Sequence, residues 1–279
     1  MRKLKLGISS LGYLIDYGLY RTNPSPIELF LEATRECLKD TEKFDLELCE
    51  LVLEPSLILS SEKIEHFKEL CDNFNIEKQL HGPFVDLCLC SQNEQISNAS
   101  LNTYITSAEI GRKIGSKRLT IHPGLVNFLI PSLKAHNEHI LTKKVHDLLK
   151  YTIDMEQKIL IENMPKNANM LLNIRDFSKF FNHFNDEELY LTYDTSHFWT
   201  CDGILSELWQ NFHERIQNIH LVDNDDKNSD SHPGLGTGKI NFEEIFSFIR
   251  TYGYKGPLII EISSAKEIPA SLDFLSRFL

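Results

Sequence analysis

Lys158-Ile159-Leu160-Ile161-Glu162-Asn163 drives three bulky apolar residues in succession straight into a carboxylate. An unbroken apolar run of this kind reads as a strand covered on both faces, the habit of a parallel sheet. The acid at its end contradicts a packed interior, because burying an unpaired charge costs several kcal/mol or forces its neutralisation. The same construction recurs along the chain. Runs at Lys3–Ser9, Asp45–Leu51, Lys78–Leu80, Arg118–Ile121, Tyr190–Tyr193, Ile216–Ile219 and Pro257–Ile260 complete a set of eight. Six of the eight lead at once into a residue able to bind a metal: His81, His122, Glu162, Asp194, His220 and Glu261. A shared polar site at one end of a closed barrel removes the conflict, since barrel strands deliver their C-terminal ends to one face.

Segments of helical period lie between the runs. Ile27–Ala33 follows Pro24 and Pro26, Ser61–Phe67 opens a second helix, and Asn98–Ile114 is a third, closed by Gly115. Others are expected over Ser132–Glu156, Leu171–His183, Gly203–His213, Phe242–Tyr252 and Ala265–Phe278. Strand and helix therefore alternate eight times. The rival architecture, a doubly wound open sheet, usually carries a glycine-rich phosphate turn after its first strand. Here that turn is Ser9-Ser10-Leu11-Gly12-Tyr13, without GxGxxG. The sequence predicts a (β/α)₈ TIM barrel, one domain over residues 1–279.

The bulk composition narrows the class of function. A formal net charge of −11 argues against a protein that grips nucleic acid through a basic surface. Cys37, Cys49, Cys71, Cys88, Cys90 and Cys201 lack the spacing of a disulfide framework and read as reduced thiols. Cys88 and Cys90 could bind a soft metal but read as packing thiols. The charged start has no apolar leader and no stretch is long enough to span a membrane, so the cytoplasm is the expected compartment. Asp223-Asn224-Asp225-Asp226 reads as a solvated loop edge.

Imidazole and carboxylate groups converging on a barrel axis suit Zn²⁺, Mn²⁺ or Fe²⁺. Asp194-Thr195-Ser196-His197 adds a second nitrogen one turn beyond its carboxylate, and Asp230-Ser231-His232 adds another acid and imidazole. That makes nine candidate ligands, more than one ion takes. Either two or three ions bind, or several of the nine orient ligands and contact substrate.

The pieces Leu80-His81-Gly82-Pro83-Phe84, Ile121-His122-Pro123-Gly124, Leu160-Ile161-Glu162-Asn163, Tyr193-Asp194-Thr195-Ser196-His197, Ile219-His220-Leu221-Val222-Asp223, Asp230 to Gly238 and Leu258-Ile259-Ile260-Glu261 occur in one order. On them the chain resembles the xylose isomerase-like TIM-barrel superfamily. That group includes sugar-phosphate isomerases and epimerases and the endonuclease IV type of apurinic endonuclease, the AP endonuclease 2 family. The isomerase branch implies one divalent ion on Glu162, Asp194, His220 and Glu261, with Glu162 and Glu261 as acid/base partners. His81, His122 and His197 would then position substrate hydroxyls. The endonuclease branch implies that all nine residues, Asp230 and His232 among them, hold three zinc ions that hydrolyse a phosphodiester.

Three departures favour the sugar-acting branch. Gly7–Tyr13 lacks the His-Val-Ser opening of the endonucleases, and the loop Glu50–Ser60 lacks their basic and aromatic DNA-reading residues. Asp230 follows His220 by only ten positions, and its glycine-rich loop looks like that of sugar-acting members. The resemblance thus implies a sugar-like small-molecule substrate rather than nucleic acid, and one to three divalent ions, Mn or Zn foremost, with Fe, Mg and Co also suited. A barrel that only binds a sugar or a partner protein is the third reading, and the oligomeric state is left open. Phe198 and Trp199 could wall a sugar face or equally pack in the core or a lid, and Lys239 or Lys166 could meet a phosphate but read more readily as solvated lysines. Tyr13, Asp16, Tyr17 and Tyr20 follow the first run in a loop that could form a substrate lid, the lesser of its two readings.

Overall fold

Eight parallel strands close into a ring: β1 (Lys5–Ser9), β2 (Leu48–Val52), β3 (Glu77–His81), β4 (Arg118–Ile121), β5 (Lys158–Glu162), β6 (Tyr190–Asp194), β7 (Ile216–Leu221) and β8 (Pro257–Ile260). Each pairs with the next, and β8 returns to β1 from Lys5↔Pro257 to Ile8↔Ile260. The (β/α)₈ barrel expected from the sequence is the fold. The computed structural model describes residues 4–22, 25–56, 60–126 and 129–279. Lys3, Pro24 and positions 57–59 of the loop after the second run lie outside the described residues.

Ten α-helices occur among the described residues: α1 (Leu11–Tyr20), α2 (Pro26–Lys43), α3 (Ser61–Asp72), α4 (Glu94–Ile114), α5 (Lys134–Thr152), α6 (Ile174–Phe181), α7 (Thr195–Thr200), α8 (Leu205–Phe212), α9 (Phe242–Thr251) and α10 (Ile268–Leu275). Local chemistry sets several ends. Asn93 accepts a hydrogen bond from the Gln95 amide at 3.0 Å to start α4, and Gly115 ends it in the left-handed conformation at φ 72°. α2 runs on to Lys43, past the short apolar stretch that announces it.

α1 departs from the expected lid loop. Tyr13 donates to Asp40 Oδ2 at 2.8 Å, while Asp16 accepts from Ser264 Oγ at 3.0 Å and from the Ala265 amide at 3.0 Å. These contacts tie α1 to α2 and to the segment after β8, which fixes Tyr13 and Asp16 as structural anchors. A methyl group at Gly12 would lie 2.7 Å from the Ile262 carbonyl oxygen, so glycine allows the close approach.

Apolar side chains fill the space between strands and helices. Phe30, Phe67, Tyr104, Phe177, Trp209 and Phe246 are buried there, each large apolar side chain worth roughly 1.5–3 kcal/mol of hydrophobic stabilisation. The barrel lumen differs. Where such barrels usually stack Val, Ile and Leu, Glu50, Gln79, Thr120, Thr192 and Asn218 form a buried polar belt. Thr120 and Thr192 hydroxyls meet at 2.9 Å across the lumen, and Gln79 Nε2 donates to Glu50 Oε2 at 2.6 Å. β7 also carries a bulge: Leu191 pairs with Ile216 but Thr192 with Asn218, leaving Gln217 as an extra residue.

Candidate active site

The strand ends above this belt deliver their polar side chains to one mouth. Glu162, at the end of β5, is the hub. Its Oε2 accepts from His122 Nε2 at 2.9 Å and His81 Nε2 at 3.2 Å, and its Oε1 accepts from His220 Nδ1 at 3.0 Å. Glu261, just beyond β8, brings Oε2 to 2.7 Å from the same His220 nitrogen. Asp194, at the end of β6, uses Oδ1 to accept from the His197 amide at 2.7 Å, capping α7, and so points His197 at the mouth.

Neighbouring backbone fixes the imidazoles. His81 Nδ1 donates to the Gly82 carbonyl at 2.7 Å and His197 Nδ1 to the Asn163 carbonyl at 2.8 Å, which turns each Nε2 toward the site. His197 Nε2 meets Asp230 Oδ2 at 3.1 Å, and Asp230 Oδ1 accepts from His232 Nε2 at 2.9 Å. The loop bearing Asp230 and His232 is folded on Asp223, whose Oδ2 accepts from the Gly236 and Gly238 amides at 2.9 Å each. Asp223 and Asn224 are buried, whereas Asp225 and Asp226 are exposed, so only the second half of the acidic stretch is the solvated edge read from the sequence.

The charges are mutually arranged. Burial opposes ionisation of Glu162, but the imidazoles of His220 and His122 outweigh it and hold the carboxyl well below its usual range. Glu261 is likewise opposed by burial yet drawn down to about 2 by His220. Burial lifts Asp194 to about 6, with His197 pulling the other way. His81 resists charging by burial but is raised to about 9 by Glu162.

Four groups of side chains bring donor atoms within 4.8 Å of one another: Glu162–Asp194–His220–Glu261, His81–His122–Glu162, Asp194–His197–His232 and His81–His220–Glu261. Eight of the nine sequence candidates belong to them, and Asp230 joins through His197 and His232. The donors fit a divalent cation on a specific ground. Asp194 Oδ2, Glu261 Oε2 and His232 Nδ1 are buried without a hydrogen-bond partner. Glu261 Oε2 and His220 Nδ1 are 2.7 Å apart yet not aligned as a hydrogen bond, the disposition of two groups that point at a common third atom.

A cavity of about 620 Å³ opens from this mouth. His81, His122, Glu162, His197, Asp230, His232 and Glu261 form its floor, and Phe84, Leu125, Met164 and Leu11 contribute to apolar walls. No Lys or Arg lines it among the described residues. Phe198, Trp199 and Lys239 lie elsewhere, on a separate cleft of about 300 Å³ with Gly203 and Glu244. One residue of α-helix turns about 100°, so α7 directs His197 to the mouth and Phe198 into the core against Tyr193, ring centroids 5.8 Å apart. Trp199 takes Lys227 over its ring, and Lys239 Nζ donates to the Asp225 carbonyl at 2.6 Å. Lys166 also stands outside the main cavity.

Glu50 is the residue that reading strand ends misses. It lies within β2, fully buried, with Oε1 2.9 Å from His220 Nε2. Its sequence signal is a charge in the middle of the otherwise apolar stretch Leu48–Val52.

Comparison with known proteins agrees with the barrel fold. The family model described as the xylose isomerase-like TIM barrel matches residues 25–278. An uncharacterised protein of Methanocaldococcus jannaschii is 25% identical over 279 residues, covering 99% of this chain and 89% of its own. A "Probable endonuclease 4" of Metamycoplasma arthritidis is 25% identical over 201 residues, covering 67% of this chain and 70% of its own. Among solved structures, a D-tagatose 3-epimerase-like protein shares the fold with a TM-score of 0.81 and 23% identity, covering 99% of this chain and 97% of that one.

Proposed function

The chain belongs to the xylose isomerase-like TIM-barrel family, and from that premise we propose that it is a divalent-metal-dependent enzyme that isomerises or epimerises a sugar or sugar-like polyol. The observation that carries this reading is the convergence of Glu162, Asp194, His220 and Glu261, with donor atoms within 4.8 Å of one another, two of them, Glu162 and Glu261, lining the cavity floor. The fold shared with a D-tagatose 3-epimerase-like protein supports it.

These four residues would hold the ion, which when bound polarises a substrate carbonyl and its neighbouring hydroxyl and so acidifies the carbon between them. Glu162 and Glu261 are the proton carriers. One of them takes a proton from the substrate carbon as a carboxylate while the other, entering protonated, delivers its proton to the opposite face, so that the pair ends with its roles exchanged. His81 and His122 flank Glu162 within 3.2 Å and can orient substrate hydroxyls as donors. The apolar walls keep bulk water from the acidified carbon.

The lining also narrows the substrate. Phosphate recognition calls on Lys or Arg, and the cavity has neither among the described residues, which favours an unphosphorylated sugar over a sugar phosphate. The six free thiols support a reducing compartment, the cytoplasm.

A second reading, a phosphodiesterase with a multinuclear site, is favoured by one observation. His81–His122–Glu162 and Asp194–His197–His232 offer donors beyond what one ion takes. Elemental analysis of freshly purified protein, combined with chromatographic assay of free ketohexoses, separates the two. About one Mn or Mg per chain with an epimeric product supports the isomerase. Two or three Zn with cleavage of bis(p-nitrophenyl) phosphate replaces it with the hydrolase.

A further inference from the structure

We propose that Glu50, which supplies no atom to the ion-facing donor groups, is a positioning residue that sets the tautomer and the aim of His220 from beneath the site. This rests on the ion site proposed above, but not on the reaction assigned to it.

Glu50 lies in the lumen of β2 with no exposure to solvent, a place where a carboxylate is strongly disfavoured unless paired. Half of it is satisfied by amides: Oε2 accepts from Gln79 Nε2 at 2.6 Å and from Asn218 Nδ2 at 3.0 Å. Gln79 Nε2 also donates to Asn218 Oδ1 at 3.0 Å, so the two amides brace each other and hold the carboxylate in one orientation. That orientation leaves Oε1 without a hydrogen bond, 2.9 Å from His220 Nε2.

His220 has one nitrogen for each side. Nδ1 faces Glu162 Oε1 at 3.0 Å and Glu261 Oε2 at 2.7 Å, within the four-residue donor group. Nε2 faces down toward Glu50 and Asn218. An imidazole that offers Nδ1 to a cation must keep its proton on Nε2. The Asn218 amide nitrogen is itself a donor and cannot receive that proton, whereas the free oxygen of Glu50 can accept it. A small rotation of the ring lines the N–H up with Oε1 and gives the carboxylate its missing partner. A purely space-filling role is the weaker account, because an aliphatic side chain fills a lumen without the desolvation that a buried charge entails.

Glu50→Gln keeps the volume and removes the charge. Zn²⁺ or Mn²⁺ affinity of the apoprotein, read by competition with a chelating dye, should fall roughly 10- to 100-fold, the range for partners that orient a metal-binding imidazole. The melting temperature of the chelator-treated variant should stay close to that of the chelator-treated parent. In the Zn-loaded parent, imidazole ¹H–¹⁵N spectra should place the His220 proton on Nε2. Affinity within twofold of the parent, or a His220 proton on Nδ1, overturns the inference. If Glu50→Gln does not fold, the spectrum of the parent decides alone. A parent protein that takes up no ion overturns the ion site itself and this inference with it. An ion-binding parent with an unaffected variant sinks this inference only.

Discussion

Asn163 and Asp194 are bonded to each other twice: the Asp194 amide donates to Asn163 Oδ1 at 2.8 Å, and Asn163 Nδ2 donates to the Asp194 carbonyl at 3.1 Å. Both residues are buried. The pair spans the ends of β5 and β6, one residue past Glu162, where ladder pairing gives out. It clamps the backbone next to Glu162 to the strand end that carries Asp194.

Asn163→Ala strips both bonds and strands the buried Asp194 N–H, while the Asp194 carbonyl remains the first acceptor of α7. One unpaired buried group costs about 1–3 kcal/mol, so urea unfolding of the apoprotein should show a loss of that size. Ion affinity should fall with it, because Asp194 is no longer held in place. Unchanged unfolding would mean that the clamp is redundant with the ladder below it.

Removing the ion should soften the whole barrel. A ligand at one hundred times its dissociation constant adds about 2.7 kcal/mol to the folded state, which for a domain of this size corresponds to roughly 5–10 °C in melting temperature. Scanning calorimetry with Mn²⁺ or Zn²⁺ and then with excess EDTA reads that difference directly. Identical melting curves would remove the support for a metalloenzyme of either kind.

The two catalytic readings part at His232. Under the isomerase reading, Glu261→Gln should lower kcat by at least a thousandfold, since it removes both a ligand and a proton carrier. His232→Ala should keep the ion and most of the rate, because His232 belongs to the donor group away from His220 and Glu162. Comparable loss in both variants, measured on the same substrate, would count for the multinuclear hydrolase.

Cys88 lines the cavity, with Sγ 3.6 Å from Cys90 Sγ. The hydrogen bond with the Cys90 thiol outweighs burial and brings the Cys88 thiol down to about 7. A lowered thiol pKa means more thiolate above that pH and slow chemistry below it. Alkylation by iodoacetamide, followed by peptide mass analysis, should therefore rise through a midpoint near pH 7, against about 8.5 for an ordinary cysteine. A midpoint at the ordinary value would show that Cys90 does not act on Cys88.

The barrel was legible because parallel strands covered on both sides must be apolar at consecutive positions, and because an ionisable residue after such a run is conspicuous. Glu162, Asp194 and His220 were readable for that reason. Glu50 was not, since a side chain that satisfies itself across the lumen through Gln79 and Asn218 uses partners 29 and 168 positions away. α1 was hidden by its composition. Ser10 makes no side-chain cap, glycines stand at positions 12 and 18, and its aromatic residues read as readily as a loop. Phe198 and Trp199 drew attention by standing next to His197, yet adjacency on a one-turn helix sends side chains to different faces.

The extra residue in β7 bears on how this chain can vary in length. Side chains two apart on a regular strand share a face, but Ile216 pairs with Leu191 while Asn218 pairs with Thr192. Gln217 reconciles the two halves of the strand, letting the start of β7 pack toward the helices while Asn218 and His220 enter the lumen. A deletion at Gln217 would leave Thr192↔Asn218 and Asp194↔His220 intact. A deletion between Asn218 and His220 would turn the imidazole to the opposite face of the strand and take it out of the four-residue donor group. A change in length at Gln217, upstream of His220, is therefore one that keeps the lumen register.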